Sequence, residues 1–393
     1  MIRSLFFLLL LTSAVRADHP AHAHAAGPGS AELGATAAYD DSGVVWAVHR
    51  VAGHIAVSRS EDNGASWSNP VLVTRAPEPI DAGMDARPKI AVGPGGEIYV
   101  TWTQPLAEPF TGEILFARSV DQGRTFTTPM IVHRDRQVIT HRFDALAVNE
   151  QGQVFVAWID KRDQVAAKSR GQAYVGAAVY YAVSHDRGLS FQGDYKVADH
   201  CCECCRISLA TQKDGSVVAF WRHIFGTNIR DHAVSTLTDE GRAGDVRRVT
   251  FEDWAIEGCP HHGPSVAVDA DGQLHGVWFS GAPERRGVYY GRLGAAPDEA
   301  RRRLGERLAA NADVAVQGRA LAVVWKESSG GQTRLCAEVS ADGGQTWRKV
   351  DVGSVVGGID QPKLLVRDGR WFVFCNTAER PLACFPLPMA DQL

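Results

Sequence analysis

Ser60-Glu61-Asp62-Asn63-Gly64-Ala65-Ser66-Trp67 closes a run of alternating apolar residues, and the same arrangement returns three times. The later copies are Ser119-Val120-Asp121-Gln122-Gly123-Arg124-Thr125-Phe126, Ser184-His185-Asp186-Arg187-Gly188-Leu189-Ser190-Phe191 and Ser340-Ala341-Asp342-Gly343-Gly344-Gln345-Thr346-Trp347. Their common form is S-x-D-x-G-x-[ST]-[WF]. Ser and Asp at this spacing can bond the amides of their own turn, Gly adopts the positive φ that the turn needs, and the aromatic residue plugs the gap between strands. Each turn follows a short apolar strand, as at residues 113–118 and 179–183.

Moving outward, each such strand is preceded by a pair: an alternating apolar strand, a Gly turn, and a second strand ending in an aromatic residue. Residues 87–102, 142–158, 206–221 and 262–278 carry the clearest pairs, and weaker ones end at Trp46, Trp325 and Phe374. The end points lie 56, 56, 63, 57, 47 and 49 residues apart. Period-two alternation with Gly turns means antiparallel, half-buried strands. A period near 50 residues with a hairpin in each unit means propeller blades. The chain therefore reads as all-β: a β-propeller of four-stranded antiparallel blades, seven by count, with six as the alternative. Trp46, Trp102, Trp158, Trp221, Trp278 and Trp325 read as packing between blades. Residues 294–310, with Arg301-Arg302-Arg303, lack strand character and read as an exposed loop or short helix with a solvated basic run.

The four turns resemble the Asp-box, or BNR repeat, of the sialidase (neuraminidase) superfamily, whose Asp-boxes are structural. On that resemblance the structural residues are Ser60, Asp62, Gly64, Trp67, Ser119, Asp121, Gly123, Phe126, Ser184, Asp186, Gly188, Phe191, Ser340, Asp342, Gly344 and Trp347. It also implies an exo-α-sialidase-type glycoside hydrolase, with arginines clamping a substrate carboxylate. Arg87, Arg142 and Arg206 stand at equivalent places in three successive units, and Glu203 is a candidate acid or base. The family's Tyr nucleophile, however, comes late in its chains, and no Tyr follows Tyr290 here.

Residues 1–17 read as a signal peptide, with Arg3 in a basic n-region, an apolar run from Leu5 to Leu11 and small residues at Ala14 and Ala17. Residues 18–30 read as a flexible arm carrying His19, His22 and His24, and residues 31–393 as one propeller domain. The expected location is periplasmic or secreted, with no membrane span after cleavage. A net charge of −4 gives no reason to expect nucleic acid.

Against this scaffold stand two knots, His200-Cys201-Cys202-Glu203-Cys204-Cys205-Arg206 and Cys259-Pro260-His261-His262-Gly263. They hold five of the eight cysteines. Strand direction alternates within a blade, so residues just before a first strand share one face, opposite the Asp-boxes. Asp85, Arg87, His141, Arg142, both knots, Asn311, Asp313 and Asp360 should meet there. The loops bearing Asp160, Arg162, Asp163, Arg222, His223, Arg230, Asp231, His232, Arg285 and Arg286 join them. Thiolate and imidazole suit Cu(I) or Zn(II), so His141, His200, Cys201, Cys202, Cys204, Cys205, Cys259, His261 and His262 are the candidate ligands of a Cu or Zn ion. The alternative is a non-catalytic propeller that binds protein or glycan, with structural disulfides such as Cys202–Cys259 or Cys201–Cys205. Four cysteines in five residues strain disulfide geometry, which favours the metal. Its partner is then the ion itself or a periplasmic protein rather than a glycan. Cys375 and Cys384 flank a short hairpin and could form a cross-strand disulfide.

Overall fold

The alternating runs form strands, and the strands form seven sheets arranged as blades. The structure, a computed structural model, describes residues 33–294 and 301–388. The segments read as signal peptide and arm lie outside the described residues. Blades 1 to 6 each have four strands in sequential antiparallel order, and blade 7 has three. The first strand of each blade is innermost. In order these are Thr36–Tyr39, Lys89–Val92, His141–Val148, Ser208–Thr211, Ser265–Val268, Ala309–Gln317 and Lys363–Arg367. Each touches the next, and the seventh touches the first, which closes the ring. Among the described residues no helix is long and apolar enough to cross a membrane.

Second strands are apolar on both faces because each is covered by a blade on either side. Val154–Asp160 is buried at every position. Seven hydrophobic clusters result, one between each pair of neighbouring blades. The six tryptophans of the second strands, Trp46, Trp102, Trp158, Trp221, Trp278 and Trp325, lie within the strands rather than at their ends, and all are buried in these clusters. Residues of blades 7 and 1, including Leu365, Phe374, Ala37 and Val45, form the cluster that closes the ring. Polar contacts reinforce this seam: Ala35 N–H donates to Asp360 Oδ2 at 2.8 Å, and Trp67 Nε1 donates to the Leu382 carbonyl at 3.0 Å.

The four Asp-box turns join third strands to fourth strands. In the first, Ser60 Oγ donates to Asp62 Oδ1 (2.8 Å) and accepts from Gly64 N–H (2.7 Å), while Asp62 accepts from both the amide and the hydroxyl of Ser66. The other three repeat the pattern. Each turn also clasps the preceding blade. A side chain on Gly123 would strike Trp46, on Gly188 Phe116, on Gly344 Tyr290 and on Gly64 Cys384. Their φ values of 72–85° independently require Gly.

Three expectations fail. Arg301–Leu304 is the fourth strand of blade 5, paired with Gly287–Leu293, not a loop or helix. Its arginines are not simply solvated: Arg301 pairs with buried Glu252 at 2.9 Å and Arg302 with buried Glu338. Cys375 and Cys384 are free thiols. Cys375 faces Ala383 and Cys384 faces Phe374 across the ladder, so successive pairs point to opposite faces. The two sulfurs lie in different clusters. Residues 162 and 163, expected in a loop, begin an α-helix, Arg162–Ser169, inserted between the second and third strands of blade 3.

Hydroxyl and amide donors hold Asp62 and Asp121 down at about 2. Asp186 reaches about 2 as well, although its partial burial opposes the shift. A carboxylate depressed in the fold contributes stability above its unfolded pKa near 4, and that contribution is lost as pH falls through about 2. Asp186→Ala should therefore lower the melting temperature by a few degrees at pH 7. The gap from wild type should narrow towards pH 2 in parallel calorimetric scans.

Candidate metal centre

Blade-to-blade connections must travel from the outer edge of one sheet to the axis of the next, and two of them carry the cysteines across the upper face. The first leaves strand Gln192–Cys201 of blade 3 and enters Ser208–Thr211 of blade 4; the second leads into Ser265–Val268 of blade 5. The first is pinned to blade 4, where Cys202 N–H donates to the Arg222 carbonyl at 2.9 Å and Cys201 bridges to His223.

One buried carboxylate brings the two connections together. Asp85, fully inaccessible, accepts at Oδ2 from Arg206 N–H (3.2 Å) and Gly263 N–H (2.8 Å), and at Oδ1 from Arg206 Nη1 (3.1 Å) and Gln361 Nε2 (2.7 Å). Burial alone would push its pKa up, but Arg206 and these donors hold it below the ordinary carboxylate value. Arg206 goes on to donate to the carbonyls of Pro264 and Ala312, each at 3.0 Å, and to Gln361 Oε1. Position 263 admits only Gly, since a Cβ there would meet Arg206 Cγ and its backbone nitrogen.

The sulfurs converge beside this node. Cys202 Sγ lies 3.8 Å from Cys204 Sγ and 3.6 Å from Cys205 Sγ, and all three residues are buried. A second triad comprises Cys204, exposed Cys259 and half-buried His261. Within each triad the donor atoms all lie within 4.8 Å of one another. Hydrogen bonds from the Cys204 and Cys205 thiols, with Arg222 and Arg230 nearby, hold Cys202 well below the usual thiol range. Arg230 Nη1 stands 3.5 Å from its sulfur. The Cys204 hydrogen bond lowers Cys259 to about 7. Burial pushes Cys201 and Cys205 up. Cys202, Cys204 and Cys205 thus sit within hydrogen-bonding reach of one another, so ionisation of one thiol is supported by its neighbours.

Other expected residues stand elsewhere. His200 turns out to the Val175 carbonyl (2.9 Å) and the Tyr174 ring. Cys201 is buried in the cluster between blades 3 and 4 but joins neither triad. His262 stacks on Phe279 at 4.1 Å, and burial lowers its pKa to about 4. His141 stacks on His133 at 3.9 Å, with Asp135 and Asp160 at 3.5 and 3.6 Å from Nε2. Glu203 points to Lys161 (2.9 Å) and Gln164 (3.2 Å). Among the described cysteines, all are free thiols, so neither Cys202–Cys259 nor Cys201–Cys205 is a disulfide here.

The three expected clamp arginines are already engaged. Arg206 serves Asp85 and the carbonyls, Arg87 donates to the Ala35 and Gln361 carbonyls, and Arg142 pairs with Asp81. Arg222 and Arg230 were visible as rim residues, but their role beside the sulfurs was not. Helix Arg162–Ser169, which brings Gln164 to Glu203, had one signal: the helix-forming run Gln164-Val165-Ala166-Ala167-Lys168.

No family model and no curated protein matches the sequence. Solved structures do match the fold. An ulvan lyase of polysaccharide lyase family PL25 aligns over 93% of this chain and 97% of its own, with TM-score 0.56 and 10% identity. An α-L-arabinofuranosidase from Fusarium graminearum covers 78% of this chain and 92% of its own, with TM-score 0.53 and 12% identity. A sialidase from Streptococcus pneumoniae aligns more loosely, at TM-score 0.47 and 12% identity over 77% of this chain and 67% of its own. At these identities the likeness is one of fold alone, a β-propeller, which this chain builds with seven blades.

Removing one partner of a buried ion pair leaves the other charge uncompensated. Asp85→Ala should therefore destabilise the protein by about 3–5 kcal/mol in urea unfolding. The double change Asp85→Leu with Arg206→Met should cost clearly less than the single one.

Proposed function

We propose that this protein is an exported propeller that binds a soft transition metal, Cu(I) or Zn(II), through Cys202, Cys204, Cys205, Cys259 and His261. One observation carries the reading. Two Sγ–Sγ separations of 3.6 and 3.8 Å occur among three buried cysteines. A tetrahedral site with metal–sulfur bonds of about 2.3 Å has edges of about 3.8 Å. These separations fit the edges of such a site and lie far from the roughly 2.05 Å of a disulfide.

The surroundings support the same reading. Thiolates select soft ions over Mg²⁺ or Ca²⁺. Arg230 and Arg222 supply positive charge beside Cys202. Three sulfurs are enclosed, while Cys259 and His261 stand at the mouth. Enclosure suits retention or sensing of a metal more than turnover, since catalytic zinc sites keep a position open to solvent. Glycan cleavage is less well supported because Arg87, Arg142 and Arg206 are engaged within the protein.

Protein expressed with its leader and purified without chelator should carry at least one Cu or Zn per chain by elemental mass spectrometry. The triple variant Cys202→Ser, Cys204→Ser, Cys205→Ser should retain less than a tenth of that. Metal-free wild type, with no alkylatable thiol among the three, would contradict the reading.

A further inference from the structure

We infer that the cluster holds two soft metal ions joined by the Cys204 thiolate. The inner ion sits on Cys202, Cys204 and Cys205, and the outer ion on Cys204, Cys259 and His261. This rests on the reading that the cluster binds such a metal, and it sets the number of ions and how they are arranged.

The geometry comes first. The donors of each triad lie within 4.8 Å of one another, Cys204 belongs to both, and the five together do not make one such set. An ion with bonds of about 2.0–2.3 Å spans donors at most about 4.6 Å apart. One ion therefore serves one triad. A thiolate sulfur has lone pairs for two metals, so Cys204 can complete both.

Charge allows the second ion. Each thiol loses its proton to solvent as its metal–sulfur bond forms, and no electron is transferred. A single Cu(I) on the inner triad leaves two negative charges on three enclosed thiolates. A second Cu(I) ionises Cys259 and adds one positive charge, so the total stays at two and is spread over four sulfurs, with the Arg230 guanidinium beside Cys202. One Zn(II) leaves one negative charge and two leave none. Uncompensated buried charge is strongly disfavoured, and filling the outer triad adds none with Cu(I) and removes it with Zn(II). The inner triad is closed to solvent, whereas in the outer one Cys259 is exposed and His261 half-buried. The outer ion is thus the exchangeable one.

The test is an anaerobic titration of the reduced full chain with Cu(I), in competition with a chromophoric Cu(I) chelator. X-ray absorption at the copper edge follows. Wild type should retain two Cu(I) and show copper–copper scattering. The variant Cys259→Ser with His261→Ala alters only mouth residues and should retain one. A single Cu(I) in wild type would overturn the two-ion arrangement and leave metal binding standing. No bound Cu(I) or Zn(II) in wild type would overturn both. Two ions in the double variant would overturn the outer site.

Discussion

The Asp85–Arg206 pair is the contact on which the upper face depends. A propeller is a ring of blades that meet through apolar faces, and those faces set the spacing of the blades, not the path of the loops above them. The pair provides the missing constraint. Asp85 precedes blade 2, Arg206 enters blade 4, Gly263 and Pro264 enter blade 5, the Ala312 carbonyl lies in blade 6, and Gln361 precedes blade 7. Five blades thus share one buried node. Burying two charges is costly unless their hydrogen-bonding capacity is met, and here Asp85 has four donors. Gly263 then follows from packing, because any side chain would displace Arg206 and separate the two cysteine-bearing loops.

What that node positions is chemically unlike its surroundings. Four cysteines within five residues line the cluster between blades 3 and 4. Buried thiols are ordinary small apolar residues, and Cys201 behaves as one, with its pKa raised by burial. Cys202, Cys204 and Cys205 differ because they face one another and share protons, with arginines nearby. The distinction lies in which way each side chain points from a tight loop, and neighbours in sequence need not share it.

Much of the fold could be read directly. The Asp-box turns, the 50-residue period and the paired alternating strands give a propeller of seven blades by count, with six left open, because a turn signal and a period are local properties; the structure has seven. The third strand of blade 3, expected at 179–183, spans Ala177–Ser184. Arg301–Leu304 escaped because its charged side chains mask an edge strand whose carboxylate partners, Glu252 and Glu338, are distant in sequence. At the site, the meeting of the two knots was legible from strand direction alone. Membership was not. His141 begins an inner strand as expected, but its ring turns into the seam between blades 2 and 3, towards the Gly112 carbonyl, His133, Asp135 and Asp160. His200 adopts a positive φ of 58° that swings it outward. Side-chain direction and long-range pairing are tertiary properties that spacing does not encode.

We propose that the three buried sulfurs of the knot hold a soft metal ion. Diffraction at the copper edge, from crystals grown anaerobically after Cu(I) loading, tests it directly. Anomalous density enclosed by the sulfurs of Cys202, Cys204 and Cys205 is the expected result. Disulfide density among those residues, with no anomalous peak beside them, would contradict it.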